Sequence, residues 1–349
     1  MTKTLVVTND FPPRRGGIES FVFSLCEDFG ADELVVYTAR MIGSDEIDSA
    51  VPYPVVRDPA RMLLPSRRVA RSVQRVARQH GCDAVVFGAA APLGLLARGL
   101  KRHPGVTTAV GLTHGHEVWW AKVPVARQLL RRIGDDVDTL TYVSDYCRRE
   151  IGKALSPAAR QRMRRLSPEV DRERFRPGLD KALWRRRLGL TDDQPVVLSA
   201  SRLVRRKGHD MLIRAWPGTL ARHPAAALVI VGDGPSRRRL MRLANRHGVG
   251  GSVIFVPSVA WAEMPLVYAM ADVFVLPCRT RLWGLEPEAF GIVFLEAAAC
   301  GLPIIVGDSG GAPEAARAGE SYVVEPTDVD QLESQLLHLL GRRRHARID

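Results

Sequence analysis

Short apolar runs alternate with segments of helical spacing along most of the chain. Strands are predicted over 5–8, 34–38, 84–87, 106–112 and 139–143, with helices over 18–29, 67–80, 91–100, 125–133 and 145–155 between or after them. This repeated strand–helix order implies a parallel, doubly wound sheet. The regularity falters over 156–177, a polar stretch holding Pro157, Pro168 and Pro177, and then restarts. Strands follow at 196–200, 227–231, 253–256, 273–276 and 303–306, with helices at 209–220, 236–247 and 292–300. The expectation is an α/β chain of two Rossmann-like domains, 1–165 and 178–349, facing each other across an interdomain cleft at the carboxyl ends of their strands.

The most informative stretch is Glu288-Ala-Phe-Gly-Ile-Val-Phe-Leu-Glu296, two carboxylates around a glycine and an apolar run. Phe290 and Gly291 read as the mouth of a loop, and the run after them as a buried helix closed by Gly301 and Pro303. One acid then precedes the helix N-terminus and the other lies about two turns inside, at roughly 1.5 Å of rise per residue. A helix start binds phosphate through its free N–H groups and dipole. A carboxylate beside it accepts hydrogen bonds from sugar hydroxyls. A nucleotide-sugar needs both features.

Charge narrows the partners. The formal net charge is +12, and only six of the 50 basic residues are lysine, a bias to which base composition of the genome can contribute. A basic surface favours phosphorylated metabolites, acidic lipid or nucleic acid. Cys26, Cys82, Cys147, Cys278 and Cys300 form no CxxC pair and read as reduced thiols of a cytosolic protein. The N-terminus carries no pattern of a signal peptide, and the most apolar stretch, 84–100, is interrupted by Gly88, Pro92, Gly94 and Arg98. Membrane contact is therefore expected to be peripheral. The basic run 342–347 reads as a solvated tail.

Further candidates sit at predicted strand ends. Asn9-Asp10-Phe-Pro-Pro-Arg-Arg-Gly16-Gly17 leads into a helix, where glycines let the backbone approach a pyrophosphate, although a structural turn explains the run as well. Asp10 either meets a substrate hydroxyl or caps the loop. In Thr113-His114-Gly115-His116-Glu117 the His-x-His spacing lacks a third metal ligand, so His116 reads as a sugar-hydroxyl contact or a hydrogen-bonded core histidine. Arg202 and Lys207, in Ser201-Arg-Leu-Val-Arg-Arg-Lys207-Gly208, offer a planar fork and a point charge to a departing diphosphate. Backbone groups near Val259 can read a nucleobase edge. Gly307-Asp-Ser-Gly-Gly-Ala-Pro313-Glu314 is a second glycine-rich helix start.

Taken together, the Gly16-Gly17 loop, His116, Arg202 with Lys207, and Glu288-x7-Glu296 resemble the GT-B retaining glycosyltransferases of family 4. Val7-Thr-Asn-Asp-Phe-Pro-Pro, Thr113-His-Gly-His-Glu-Val118 and Ser309-Gly-Gly-Ala-Pro-Glu314 resemble its actinobacterial phosphatidylinositol-mannoside mannosyltransferases, which use GDP-mannose and mannosylate the inositol 6-position. The resemblance implies that Glu296 holds the ribose hydroxyls, Glu288 the donor sugar, and Arg202 and Lys207 the diphosphate. It places Gly16, Gly17, Gly291, Ile292 and Val293 around the donor, Val259 at the guanine, His116 at the 6-hydroxyl of the transferred sugar, and Asp10 toward the acceptor. It makes 1–165 the acceptor domain and 178–349 the donor domain, with an inositol phospholipid as acceptor and no metal or other cofactor. The chain departs from the pattern at Ser167-Pro168-Glu169-Val170-Asp171 and at the bulky Trp283 and Leu285, where relatives are richer in glycine. It also ends at Asp349, short of the crossover tail that the resemblance implies.

The implied chemistry is front-face transfer, the leaving phosphate taking the acceptor proton. The helix 67–80, with Val69, Val73 and Val76 among five arginines, is either an amphipathic element lying on the anionic inner face of the cell membrane or an ordinary helix packing its valines on the sheet. Another donor or glycolipid acceptor, and a GDP-binding relative without transfer, stay open at this point. Nucleic-acid binding is disfavoured because aromatic platforms and a helix-turn-helix are missing, and a dinucleotide oxidoreductase because no GxGxxG follows a strand.

Overall fold

The structure is a computed structural model and describes residues 3–14, 16–102 and 105–345, with side chains as far as residue 342. The chain divides into two compact units, Met1–Pro168 and Glu169–Asp349. In the first, seven strands form one parallel sheet: β1 (Thr4–Thr8), β2 (Leu34–Ala39), β3 (Val55–Asp58), β4 (Ala84–Phe87), β5 (Thr108–Gly111), β6 (Thr139–Tyr142) and β7 (Met163–Arg165). Their order is β3-β2-β1-β4-β5-β6-β7, with Val6 registered against Val36 on one side and Val86 on the other. β1 and β2 are buried along their whole length, which is why they read as continuous apolar runs rather than alternating ones.

The second unit repeats the plan with β8 (Val196–Ala200), β9 (Ala227–Val231), β10 (Val253–Val256), β11 (Val273–Leu276), β12 (Ile304–Gly307) and β13 (Ser321–Val324), ordered β10-β9-β8-β11-β12-β13. Relabelled from its own first strand, this is the same 3-2-1-4-5-6 arrangement. Strand order reverses beside β1 in one unit and beside β8 in the other, and loops at such a switch point are where doubly wound sheets hold ligands. The last helix, Val329–His345, lays Leu332, Leu336, Leu339 and Leu340 into the core of the second unit. Of the basic run 342–347, Arg342 donates to the Tyr322 hydroxyl at 3.1 Å and to Glu320, whereas residues 346 and 347 lie outside the described residues.

One expectation needs correction, and one open alternative is decided. The helix expected over 91–100 is broken into Ala90–Leu93, a 3-10 turn Gly94–Leu96 and Ala97–Lys101. Ala91 has φ −103° and ψ 127° because Pro92 drives the preceding residue out of the helical region. The helix Arg67–His80 forms as expected, started by Ser66 Oγ accepting from Val69 N–H and stopped by left-handed Gly81. Its valines, however, do not face lipid: Val69, Val73 and Val76 are buried within the unit, each contributing about 1.5–3 kcal/mol that exposure would forfeit. Among the described residues, no helix is long and apolar enough to cross a membrane.

Candidate active site

In the second unit the site grows from the ends of β8 and β11. After β8 the chain turns through Arg205–Lys207 to Gly208, whose φ is +77° and where any Cβ would overlap the Pro277 carbonyl. Glycine therefore lets this basic turn sit directly against the exit of β11, and Arg279 N–H donates to Arg206 O at 2.8 Å across the junction. The turn delivers Lys207 Nζ to within 2.7 Å of Glu288 Oε2, and Arg206 reaches the same oxygen.

Glu288 is 6% exposed and held from its backbone as well. Its N–H donates to Ser309 Oγ at 3.1 Å, and its carbonyl accepts from Gly311 N–H at 2.8 Å. Gly310, at φ +60°, is the residue that permits this: a side chain there would overlap the Glu288 carbonyl. Ser309 Oγ also pairs with Thr280 Oγ1 at 2.9 Å, so the glycine-rich turn after β12 clamps both ends of the segment carrying the acid. Burial opposes ionisation of Glu288, but the charges of Lys207 and Arg206 outweigh it and hold the carboxyl below its ordinary value.

Glu296 behaves oppositely. Gly291, at φ +93°, caps the helix Ile292–Ala299, so Glu296 is its fifth residue and lies little more than one turn inside, not two. Burial pushes its carboxyl up, partly countered by hydrogen bonds from Tyr268 and Trp261. Tyr268 Oη donates to Glu296 Oε2 at 2.7 Å from within a cluster with Phe175 and Phe274. The arrangement holds a carboxylate with few partners of its own below a free helix start, ready to accept from hydroxyls.

The remaining second-unit candidates stand at the same edge. Arg202 is exposed, and among the described residues its guanidinium has no partner, although its backbone is fixed by Leu203 N–H donating to Asp233 O at 2.8 Å. Val259 is half-buried in the loop after β10, whose Ser258 N–H donates to Asp233 Oδ2 at 2.8 Å. Asp233 thus ties the loop of Arg202 to the loop of Val259. Arg279 grips Asp210 through two 3.0 Å contacts and steadies the segment leading to Glu288. Lys207, Arg206 and Glu288 are brought together; Arg202 does not join that cluster.

In the first unit, Asp10 follows β1 with its N–H on Thr8 Oγ1 at 2.8 Å and Arg14 at 3.9 Å from its carboxylate. Asn9 pins the loop by two bonds with the Leu63 backbone, at 3.0 and 2.7 Å. Gly16 caps the helix Gly17–Glu27 in extended backbone, Gly17 is exposed, and Arg15 between Arg14 and Gly16 lies outside the described residues. His116 caps Glu117–Lys122, its Nε2 lying 3.2 Å from Ala91 O and 3.1 Å from Glu117 Oε1, with over a third of the ring exposed. Glu117 is fully buried and accepts from His114 N–H and Gly115 N–H at 3.0 and 3.2 Å, which orients the His116 turn. His114 is instead a half-buried histidine, bonded to Gly88 O at 2.5 Å and driven below its ordinary pKa by desolvation.

Three contributors escape sequence reasoning. Nothing in the sequence separates Arg206 from its basic neighbours, Ser309 lies within a glycine-rich helix start, and Tyr268 stands in no motif; only the first two carry any signal. Comparison with known proteins adds a second line of evidence. Residues 180–347 match the model "Glycosyl transferases group 1", and 15–174 match "Glycosyltransferase Family 4". The chain is 47% identical, over 98% of its length and 90% of the relative's, to the GDP-mannose-dependent alpha-(1-6)-phosphatidylinositol monomannoside mannosyltransferase of Mycolicibacterium smegmatis. It is 42% identical, over 97% and 88%, to the GDP-mannose-dependent monoacylated alpha-(1-6)-phosphatidylinositol monomannoside mannosyltransferase of Corynebacterium glutamicum. Anabaena Alr3699/HepE in complex with UDP shares the fold at a TM-score of 0.79 and 19% identity, covering 97% of this chain and 90% of that one. With two doubly wound sheets and near-full-length identity above 40%, the chain belongs to the family 4 glycosyltransferases, among the phosphatidylinositol monomannoside mannosyltransferases.

Proposed function

We propose that the chain is a retaining mannosyltransferase that moves α-mannose from GDP-mannose to the inositol 6-position of a phosphatidylinositol monomannoside. The observation that carries this reading is the buried carboxylate of Glu288, held by Lys207 and Arg206 beside the start of Ile292–Ala299 in a chain so similar to enzymes of that name. In the reaction the bond from the anomeric carbon to the diphosphate breaks, and its electron pair stays on the phosphate oxygen. The inositol oxygen bonds to the same face of that carbon, and its proton passes to the leaving phosphate. Two cations against one carboxylate leave the cluster with one net positive charge to meet the developing negative charge, inside a poorly solvated site where such stabilisation is strongest.

The other roles follow the same division. Arg202, without a side-chain partner among the described residues, grips the diphosphate, with the N–H groups of Ile292 and Val293 and the loop of Gly16 and Gly17 around it. Glu296 accepts from the ribose hydroxyls, the backbone near Val259 meets guanine, Glu288 and His116 hold the mannose, and Asp10 faces the acceptor. Residues 1–165 serve the acceptor and 178–349 the donor.

Access to a lipid acceptor requires a membrane surface. Arg67, Arg71, Arg75 and Arg78 are exposed on Arg67–His80, and Met62 and Leu64 are exposed on the loop before it. This combination supports peripheral binding to an anionic inner leaflet, through charge on the helix rather than through its valines. The deciding experiment is transfer of labelled mannose from GDP-mannose to purified phosphatidylinositol monomannoside. Labelled phosphatidylinositol dimannoside is the expected product; GDP binding without it overturns the reading.

A further inference from the structure

The segment between Thr280 and Glu288 is a tight hairpin. Arg281 N–H donates to Glu286 O at 3.2 Å and Glu286 N–H to Arg281 O at 3.1 Å, and the Arg281 guanidinium sits 2.9 Å from the Glu286 carboxylate. Its four-residue tip winds the wrong way: Leu282, Trp283 and Gly284 have φ of +52°, +56° and +87°. Gly284 N–H returns to Arg281 O and Leu285 N–H to Leu282 O, completing a left-handed turn. Among the described residues, Leu282 and Trp283 are the non-glycine residues with positive φ. A bulky L-residue resists that region because its Cβ crowds the carbonyl that follows. Strain of this kind is held by its surroundings and clusters at sites that use it.

What the strain presents is apolar. Trp283 is 85% exposed and Leu282 59%, while the polar groups at the base of the tip are satisfied by each other. The hairpin is also aimed from the site, since its base is fixed to Ser309 and ends on Glu288. We propose that the Leu282–Trp283 tip is the contact for the acyl-bearing portion of the lipid acceptor, a specificity element one hairpin away from the acid that holds the sugar. A pyranose face would be recognised by an aromatic flanked with free hydrogen-bonding side chains, and here both charged neighbours are spent on the latch. An indole beside an aliphatic side chain instead matches an amphiphile, apolar along its chain and wet at its headgroup. The proposal rests on the lipid-acceptor reading above.

The test uses the full chain and a short-chain phosphatidylinositol monomannoside held below its micellar concentration, with its deacylated, water-soluble counterpart as control. W283G removes the indole and tolerates the left-handed turn, so its melting temperature is expected to be no lower than that of the parent. The ratio of kcat/KM for the lipid acceptor over the deacylated one should fall on the order of tenfold, the scale of one lost apolar contact in a recognition site. Equal losses on both acceptors, or a loss seen only when the lipid is presented in vesicles, overturns the proposal in favour of sugar stacking or membrane docking. Binding is read separately from transfer: brominated acyl chains on the short-chain lipid should quench indole emission in the parent and not in W283F. Quenching without transfer would sink the assigned reaction and keep the tip; transfer without quenching would do the reverse.

Discussion

Lys207 Nζ and Glu288 Oε2 lie 2.7 Å apart with both side chains buried, and Arg206 shares the same oxygen. Lys207→Ala removes one of the two cations on Glu288 that are proposed to face the leaving group, and turnover is expected to fall about 10²-fold, the scale for loss of one charge-stabilising donor. Stability should fall by less than the roughly 3–5 kcal/mol of a fully orphaned buried charge, because Arg206 stays on the carboxylate. Initial rates at saturating GDP-mannose check the first statement and urea unfolding the second. Near-parental turnover would remove Lys207 from the chemistry.

The two acids should respond to pH with opposite signs. Glu288 is held below its ordinary value of 4.5, so its ionisation contributes stability above that value and loses it as pH falls through the lower folded value. Glu296 is raised above 4.5, so the protein loses stability as pH rises from 4.5 through its folded value. Glu296→Gln keeps an acceptor for Tyr268 and removes the buried charge. Relative to the parent, its stability is expected to improve as pH rises from 4.5 through the raised folded value, while that of Glu288→Gln worsens as pH rises from the lowered folded value to 4.5. GDP affinity of Glu296→Gln should fall nonetheless. Urea unfolding across the range and calorimetry with GDP measure the three effects; parallel pH slopes for both variants would contradict the assigned environments.

What could be read from the residues was whatever burial writes into period and punctuation. β1, β2, β8 and β9 are buried on both faces and so are nearly pure apolar runs, and Arg67–His80 carries Ser66 and Gly81 as its end signals. β3, β7 and β13 carry no such signature because they are short edge strands with half-exposed or charged residues, as in Met163-Arg-Arg165. The acids and the basic cluster were legible because their motifs stand at strand ends. Which cation meets Glu288 was not, since Arg205, Arg206 and Lys207 differ only by the phase of a 3-10 turn. Nor was the left-handed tip at Trp283, where local preference argues for any other conformation.

Arg202 separates from Arg206 on that account. Arg202→Ala breaks no side-chain hydrogen bond or ion pair among the described residues, so stability should stay within about 0.5 kcal/mol of the parent. Loss of a charged contact to the diphosphate, worth about 1.5–3 kcal/mol, should weaken GDP binding at least tenfold. Isothermal titration against GDP and against guanosine discriminates: guanosine binding should be unchanged, and an equal loss for both ligands would place Arg202 elsewhere.

On the helix Arg67–His80, charge and packing point in different directions, and each makes its own forecast. Arg68 is committed to Asp58 at 2.8 and 2.9 Å, whereas Arg71, Arg75 and Arg78 are exposed. Replacing those three by alanine leaves the buried valines untouched, so the melting temperature should hold. If each contributes about 1 kcal/mol at an anionic surface, vesicle affinity should drop on the order of 10²-fold and become insensitive to salt. Val73→Ala should do the converse, costing stability through a core cavity while leaving vesicle binding of the folded protein intact. Sedimentation with acidic and neutral vesicles reads both. Vesicle binding that survives loss of the arginines but follows Val73 would mean that the helix leaves the sheet to enter lipid.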